Sequence, residues 1–439
     1  MSVYPRNLSN FLNRMSGYNK NSIKMNVLGA GTANAGDVVQ VDLPSNSIVD
    51  LSSLAWSLDV AYTGAAGTAA GNGVTGAVTY PINAESVISR LAVEVNGQTL
   101  VNLTNYNILY NAMLYMTATE DYQLQRRVSQ SNTEAGGAQN GTCLQEASAA
   151  GAAVSDSRSH VIDTWLGFLG SAKPNFIATS LLGNVRISIT LAGADIIGTH
   201  GAAACVFARS YTVQNQAFSV DVISISDGVY DAMVDQMLAQ GAPIEIPFKN
   251  YFSYTGDIAT GSVPFNVATQ SLDRLWGLNR LLTYNTQDDN DKRIAVGEAV
   301  ATVDTIVTTP AFFTYTANGH ENFHFQVNNT LYPQWTSARP VDWWQHTKLA
   351  LGDQGNMLAG SCVNSIAAYR GNFFTYCCQL EHRTDGDERF LSGIDTRGSS
   401  AQCYFKASGA AAAAAQTVVF AECTSSLRIF ANKVLEIVV

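Results

Sequence analysis

Apolar and polar residues alternate along most of this chain, which is the pattern of β-strands that bury one face. One such strand places a single set of side chains on one side: Leu54, Trp56, Leu58 and Val60. Strand-like segments also begin at Asp37, Ala208 and Asn372, with loops rich in Gly, Ala, Ser and Thr between them. The pattern therefore predicts an all-β protein with few helices.

Two stretches repeat the order strand, turn, strand and helix. VEVNGQTL predicts a hairpin that turns at Asn96, and FQVNNTLYP predicts one that turns at Asn328. A helix-compatible segment follows each hairpin, from Asn105 and from Val341. The same order in both places indicates a tandem repeat.

A third match extends the repeat to most of the chain. VRISITL around Arg186 is matched by SLRIFANKVLEIVV around Arg428, at nearly the same separation as the hairpins. At 439 residues the chain is long enough for two domains of about 200 residues each. We predict a first domain at 37–243, a second at 244–439, and an N-terminal arm at 1–36.

The boundary is placed after the clearest helix of the sequence. This helix starts at Gly228, with Asp227 able to cap its amino end and Gly241 at its C-cap position. Pro243 follows and cannot continue the helix. We therefore expect the first domain to end there.

Charge is scarce in this sequence and unevenly distributed. Charged residues make up 14% of the chain, against roughly 25% in a typical soluble domain, so we expect other subunits to cover much of the surface. The net charge of −10 argues against wrapping nucleic acid. Only the arm is basic, with four cations before Asp37: Arg6, Arg14, Lys20 and Lys24. It is either a contact segment or a solvated terminus.

No secretory signal or membrane-spanning run is expected from the sequence. The seven cysteines are an odd number and lack CxxC spacing, which favours reduced and mostly buried thiols.

HENFH, from His320 to His324, matches the HExxH pattern of zinc proteases, which requires a helix. Here Phe323, Phe325 and Val327 alternate, which indicates a strand. Positions four apart in a strand are separated by about 13 Å, too far for one zinc ion with ligand bonds near 2 Å. We therefore expect no metal at this motif.

Other candidate motifs are equally incomplete. GAGTANAG from Gly29 lacks the third glycine of a dinucleotide loop and precedes a strand. The acidic segments from Asp288 and Asp385 lack EF-hand spacing. Three tryptophans form either a sugar-stacking platform or core aromatics: Trp335, Trp343 and Trp344. No catalytic residue, cofactor-binding residue, metal ligand or cofactor is predicted, and we expect the protein not to be an enzyme.

The chain resembles the double jelly-roll major capsid proteins of tailless icosahedral DNA viruses. Adenovirus hexon belongs to this group. Three segments carry the resemblance: VEVNGQTLVNL followed by a helix, SLDRLWGLNR from Ser271, and FLSGIDTRGSSAQCYFKA from Phe390. The likeness covers the chain from Asp37 to Val439, and an alanine-rich tract from Ala410 departs from it. It implies two tandem eight-stranded jelly-roll sandwiches with a few short helices.

The resemblance also implies a structural function in the virion after synthesis in the host cytoplasm. The protein would form homotrimers, and each trimer would be a pseudo-hexagonal capsomer. These capsomers would tile an icosahedral shell around a DNA genome. Expected partners are neighbouring capsomers, minor capsid or penton proteins, and an internal viral membrane reached by the arm, without sequence-specific nucleic acid binding. The alternative is a β-sandwich carbohydrate-binding protein or glycoside hydrolase, which needs an aromatic platform or paired carboxylates in a groove.

Overall fold

The computed structural model describes the following residues of the chain: 18–65, 77–79, 81, 83–118, 144–146, 153–200, 208–225, 234, 236, 238, 243–258, 261–281, 294–295, 306–307, 311–335, 338–351, 363, 365–381, 393–398, 402–409, 411, 415–430 and 434–439.

The first half of the chain forms two antiparallel sheets. Sheet 1 has four strands in the order β1 (Tyr18–Asn26), β13 (Ala208–Ile225), β4 (Ile48–Ala65) and β10 (Phe176–Ala178). Two further strands join it, β2 (Ala33–Asn34) on β13 and β9 (Ala153–Ile162) on β4. Sheet 2 has the order β3 (Val38–Asp42), β11 (Val185–Leu191), β6 (Ile88–Val95) and β7 (Gln98–Thr104).

The second half repeats the order of the four main strands in each sheet. Sheet 3 has the order β14 (Ile244–Gly256), β23 (Ala415–Ile429), β16 (Leu272–Leu281) and β21 (Tyr376–Gln379), and β24 (Leu435–Val438) joins β23. Sheet 4 has the order β15 (Ser262–Asn266), β22 (Gln402–Ser408), β19 (Asn322–Val327) and β20 (Thr330–Tyr332). Sheets 1 and 2 form sandwich 1, and sheets 3 and 4 form sandwich 2. The all-β prediction is confirmed.

The remaining described elements are short. β5 (Ala77–Thr79), β8 (Leu144–Glu146) and β12 (Gly198–His200) form a small sheet, and β17 (Ile294–Ala295) pairs with β18 (Ile306–Val307). The α-helices are α1 (Tyr106–Thr117), α2 (Phe168–Ser171), α3 (Thr179–Leu182), α4 (Pro340–Ala350) and α5 (Ile366–Gly371). Three 3-10 helices span Ala84–Val87, Ala194–Ile196 and Ala311–Phe313.

Both predicted hairpins are present, and each precedes a helix. Asn96 joins β6 to β7 with φ 51°, and Asn328 joins β19 to β20 with φ 55°. Asparagine tolerates this left-handed conformation better than other residues with a side chain, which explains its place at both turns. Helix α1 follows the first hairpin and α4 follows the second.

The third predicted match of the repeat is wrong. Arg186 lies on β11 in sheet 2, whereas Arg428 lies on β23 in sheet 3. By strand order the counterpart of β11 is β22, and the counterpart of β23 is β13. Both segments alternate in the same way, so the local pattern could not assign them to a sheet.

The predicted arm at 1–36 is also wrong from Tyr18 onward. Strand β1 pairs with β13 along its whole length, from Tyr18 opposite Ile225 to Asn26 opposite Ala217. The Nζ atom of Lys20 lies 2.8 Å from an Asp221 carboxylate oxygen, so this cation is neutralised within the sheet. The residues before Tyr18 lie outside the described part of the chain.

The predicted helix from Gly228 lies outside the described residues except for Val234, Gln236 and Leu238, which are helical. Most of the alanine-rich tract from Ala410 also lies outside them. The strands of sheets 1 and 2 end at Ile225, and those of sheets 3 and 4 begin at Ile244. The domain boundary after residue 243 stays a prediction that agrees with this gap.

Each sandwich encloses its own aromatic core. The predicted inward set is buried, and Trp56 of this set stacks on Phe218 with ring centroids 5.4 Å apart. In sandwich 2, Phe325 and Phe405 lie 4.7 Å apart. A Cβ atom at Gly277 would lie 2.6 Å from the Phe405 ring, so glycine permits the close approach of sheet 3 to sheet 4.

Candidate functional site

The HENFH motif lies in a loop and a strand, not in a helix. His320 precedes β19 and His324 lies within it, which confirms the predicted strand. Burial lowers the pKa of both imidazoles, and Lys406 lowers that of His324 further. Within the described ranges, no group of three His, Cys, Asp or Glu side chains could hold a metal ion.

The three tryptophans of the carbohydrate alternative do not form a platform. Trp343 is buried against Phe323, with ring centroids 5.1 Å apart and the planes nearly perpendicular. Trp344 packs edge-on against Tyr369 at 5.2 Å. Trp335 is exposed. Trp343 is a core aromatic and Trp344 is partly buried at the edge of the core, and a single exposed ring does not make a sugar-stacking surface.

The remaining candidate motifs give no site. Gly29 has φ 104° in a loop, and strand β3 follows this loop, as expected from the sequence. The acidic segments from Asp288 and Asp385 lie outside the described residues. The four described cysteines are free: Cys377, Cys378, Cys403 and Cys423. No helix in the described ranges is long and apolar enough to span a membrane.

The largest feature that the sequence did not predict is the contact between the two sandwiches. Leu275 and Gly277 on β16 face sheet 4, so Arg274 and Trp276 lie on the opposite, outer face of sheet 3. This outer face is nevertheless inaccessible, since Trp276 and its neighbour Phe420 are fully buried. Sandwich 1 covers it.

Several direct contacts join sandwich 1 to sandwich 2. At its amino end, α1 meets β14, where Ser253 Oγ lies 2.5 Å from Thr104 Oγ1 and accepts a hydrogen bond from Asn105 Nδ2 at 3.4 Å. Farther along α1, Tyr315 donates to the carbonyl oxygen of Ile108 at 3.1 Å. The Tyr115 ring lies 4.9 Å from Phe373.

A second segment of sandwich 1 clamps the edge strand β14. The Lys249 amide donates to Ser171 Oγ at 2.8 Å, and the Lys173 amide donates to the carbonyl oxygen of Pro247 at 3.0 Å. Helix α2 places Phe168 edge-on against Phe248, with ring centroids 5.3 Å apart. Sandwich 1 therefore grips sandwich 2 at an edge strand and across a sheet face.

A buried network of acidic and basic side chains lies on β14, β16 and β23 in sheet 3, with Glu381 just after β21. Lys249 Nζ contacts Asp273 at 2.8 Å and Glu381 at 3.2 Å. Arg274 bridges Glu381 at 2.9 Å and Glu422 at 3.3 Å. All three carboxylates are thereby paired.

Neutral donors complete this network. Trp276 Nε1 donates to Glu422 at 3.2 Å, and the hydroxyls of Ser271 and Thr424 each donate to Asp273 at 2.6 Å. All three carboxylates accept hydrogen bonds, whereas Arg274 Nε is buried without a hydrogen-bond partner. Such a network contributes more to a fixed geometry than to stability.

The pKa shifts follow from burial and pairing. Burial works against the charged forms of Lys249 and Arg274, but the neighbouring carboxylates raise the pKa of each above its ordinary value. Burial raises the pKa of Glu381, and Lys249 and Arg274 offset only part of this rise. Because every described carboxylate here is paired with a cation, the cluster is not a free acid and base pair of the kind glycoside hydrolysis needs.

A sequence signal for this network existed but was local and incomplete. SLDRLWGLNR places Asp273 and Arg274 next to each other inside an apolar strand, where unpaired charges are costly. Their partners Lys249, Glu381 and Glu422 are distant in the sequence, so spacing alone could not identify them.

Solved structures with this arrangement of two sandwiches exist. The capsid of the virus PBCV-1 matches over 100% of this chain and 98% of that chain, with a TM-score of 0.56 and 13% identity. The chain has the double jelly-roll fold. The Faustovirus major capsid protein matches over 97% of this chain and 92% of that chain, with a TM-score of 0.60 and 9% identity.

A third match has the same extent. The third structure is PBCV-1 VP54 fitted into a reconstruction of the virophage Sputnik. The match covers 100% of this chain and 98% of the VP54 chain, with a TM-score of 0.55 and 13% identity. Neither protein-family models nor curated proteins give a match. The predicted pair of jelly rolls is thus confirmed as a fold.

Proposed function

We propose that this chain is a viral major capsid protein that forms homotrimeric, pseudo-hexagonal capsomers in an icosahedral shell around a DNA genome. The observation that carries the proposal is the match of the whole double jelly-roll fold to the PBCV-1 capsid and to the Faustovirus major capsid protein. The low charged fraction supports it, because subunit contacts would cover much of the surface.

The repeated strand order gives the proposed capsomer its shape. One chain supplies two sandwiches with the same strand order in both sheets. Three chains arranged around a threefold axis supply six such sandwiches, which is the number a hexagonal outline needs. We assign residues 18–243 to the first sandwich and 244–439 to the second.

The proposed partners are neighbouring capsomers, minor capsid or penton proteins, and an internal membrane. With Tyr18–Asn26 in sheet 1, the proposed contact segment shortens to residues 1–17, which carry Arg6 and Arg14. Basic residues near an anionic lipid surface contribute about 1 kcal/mol each. We place the protein in the virion, after synthesis in the host cytoplasm.

The trimer is tested by light scattering on the purified protein at micromolar concentration. The expected mass is three times the 47.0 kDa of one chain, and electron micrographs of the same sample should show hexagonal outlines. A mass of one chain would contradict the proposal. For the contact segment, deletion of residues 2–17 should preserve the trimer but impair shell assembly, and normal shells would remove that role.

A further inference from the structure

Lys249, Asp273 and Glu381 bring an amine and two carboxyl groups together in a largely buried site. Lys249 Nζ lies 2.8 Å from Asp273 Oδ2 and 3.2 Å from Glu381 Oε2. The side chains of Asp273 and Glu381 are only 1% and 6% exposed. Tyr251 and Trp276 are buried on the same face of sheet 3. An amine and a carboxyl group held this close can react with each other, because their positions remove the need for a chance encounter.

The backbone of sheet 3 holds the reacting groups in place. Lys249 lies on β14 and Asp273 lies on β16, with β23 between these two strands. The register of β16 against β23 shifts between Leu272 and Arg274, so Asp273 occupies a β-bulge. A bulge re-aims a side chain, and here the Asp273 carboxylate meets the Lys249 ammonium group across β23. The Glu381 amide donates to the Asp273 carbonyl oxygen at 3.1 Å, which fixes the third group.

Two hydroxyl groups support the Asp273 carboxylate. Ser271 Oγ donates to Oδ1 and Thr424 Oγ1 donates to Oδ2, each at 2.6 Å. Donors fixed around a carboxyl group stabilise the negative charge that its oxygen gains when a nucleophile adds to the carbon. Thr424 Oγ1 also accepts a hydrogen bond from Lys249 Nζ at 3.1 Å, so it links the amine to the carboxylate.

Burial favours the uncharged product of a reaction between these groups. An ammonium group and a carboxylate both lose their hydration on burial, and this desolvation is unfavourable. An amide carries no charge and avoids most of that penalty. After the reaction the network would still be paired, because Arg274 bridges Glu381 and Glu422.

We propose that Lys249 and Asp273 form an intramolecular isopeptide bond, with Glu381 as the general base. Glu381 takes one proton from Nζ, and the freed lone pair adds to the carboxyl carbon of Asp273. A second proton passes from Nζ through Thr424 Oγ1 to Oδ2. Glu381 then returns the first proton to Oδ2, which leaves as water when its bond to carbon breaks. The ammonium group and the carboxylate together supply every atom of the amide and the water. The ion pair of the structure is thus the precursor of a bond that forms after folding.

The surroundings of the amine and of Glu381 explain why this base is needed and suitable. Burial lowers the pKa of Lys249, but the neighbouring carboxylates outweigh burial and raise it above its ordinary value. The amine therefore keeps its proton until a base removes it. Burial raises the pKa of Glu381, and a carboxyl group whose pKa lies closer to neutral is better matched to proton transfer at physiological pH.

Mass spectrometry of the full chain, incubated at neutral pH and then unfolded and digested, detects the bond directly. Trypsin cuts the unreacted chain after Lys249 and gives peptides 210–249 and 250–274. The bonded chain should instead give one peptide, 210–274, that is lighter by one water molecule, because Lys249 no longer has a free amine. Fragmentation of this peptide should give no ions from single cleavages between positions 249 and 273, since the bond holds the two pieces together.

Variants assign the bond to its residues. Lys249→Met should keep its full mass, and Glu381→Gln should give the two separate peptides. The matched control is Glu422→Gln, which removes a carboxylate that contacts Arg274 and Trp276 in the same network, and it should still form the bond. Circular dichroism checks that each variant is folded.

A second control lies in the same digest. Lys20 Nζ also lies 2.8 Å from an aspartate, Asp221, but the Lys20 side chain is 45% exposed. Water stabilises the ions of this pair, so trypsin should still cut after Lys20.

The wild-type measurement alone decides whether the bond exists. A wild-type chain of full mass that is cut normally after Lys249 overturns the proposal. A loss of water that persists in Lys249→Met also overturns it, because a cyclised aspartate would then account for the loss. Bond formation in Glu381→Gln at the wild-type rate overturns the role of Glu381. None of these outcomes bears on the proposed trimer, since the bond lies within one chain.

Discussion

The buried ion network can be tested by removing one cation, Lys249. Its Nζ atom lies 2.8 Å from Asp273 and 3.2 Å from Glu381, and its side chain is 15% exposed. Lys249→Met keeps the aliphatic stem and leaves Asp273 without a cation in contact. The matched control is Lys20→Met, on β1, the counterpart of β14. Lys20 Nζ also lies 2.8 Å from an aspartate, Asp221, but its side chain is 45% exposed.

The expected effects differ because the surroundings differ. Breaking a buried ion pair by removing one partner costs about 3–5 kcal/mol, since the remaining charge stays desolvated. We therefore expect Lys249→Met to lower the free energy of unfolding by roughly this amount. Lys20→Met should cost clearly less, because the Lys20 ammonium is largely exposed and water and salt screen its pair with Asp221. Its second partner, Asp50 at 3.5 Å, is buried but also accepts hydrogen bonds from Ser52.

Urea denaturation at pH 7, followed by circular dichroism, measures both variants against the wild type. The pH dependence adds a second check. Because the pKa of Lys249 is raised in the folded protein, its contribution is complete below the ordinary value of 10.5 and disappears as the pH rises through the folded value. The contribution of the Lys249 charge itself should thus be the same at pH 6 and pH 8. Because Lys249 also lowers the pKa of Glu381, the difference between the variant and wild type should shrink only as the pH falls far enough for Glu381 to take up a proton in the variant. A loss of stability no larger than that of Lys20→Met would refute this reasoning.

Three further predictions follow from packing and burial. Gly277→Ala should destabilise the protein by about 1–3 kcal/mol in thermal unfolding because the added methyl group meets an aromatic ring, and Gly371→Ala, which meets nothing within 4 Å, should not match this loss. Burial raises the pKa of Cys378 to about 12 and that of Cys403 to about 11, so peptide mapping after thiol labelling at pH 8 should find both unmodified until the protein unfolds. Metal analysis should find no stoichiometric zinc, and zinc that disappears in His324→Ala would contradict the strand interpretation of HENFH.

The hairpins were predictable because turn chemistry is local. Asn96 and Asn328 each stand between two short alternating segments, and both adopt positive φ. The alternation from Leu54 to Val60 was equally informative, since a strand with one buried face needs it. These local signals are sufficient to predict the all-β fold class and the two hairpins of the repeat.

Strand β1 was missed because its sequence lacks such a pattern. YNKNSIKMN contains few apolar residues beyond Ile23 and Met25, and the described residues Asn19 to Lys24 are exposed along the edge of sheet 1. What holds this strand is backbone pairing with β13 and the ion pair of Lys20. Neither leaves a periodic trace in the sequence.

The contact between the sandwiches could not be predicted for a different reason. Burial of both faces of sheet 3 removes the alternation that marks a strand with one exposed face, and β23 is an almost uninterrupted run of buried residues. The sequence shows that β23 is apolar on both sides but not what covers the second side. The partners of α1 are separated from it by the length of a whole domain.

Contacts within one chain and contacts between the chains of the proposed trimer would form in different ways, because only the first are tethered. The interface that encloses the network of Lys249, Arg274 and Glu422 lies within one chain, so it forms at a high effective concentration and without a partner. The contacts between chains in the proposed trimer would form between separate molecules, at a rate that depends on their concentration. The charges of this network would thus be desolvated during folding, before the chains associate. Dilution should therefore dissociate trimers into chains whose two sandwiches are still joined.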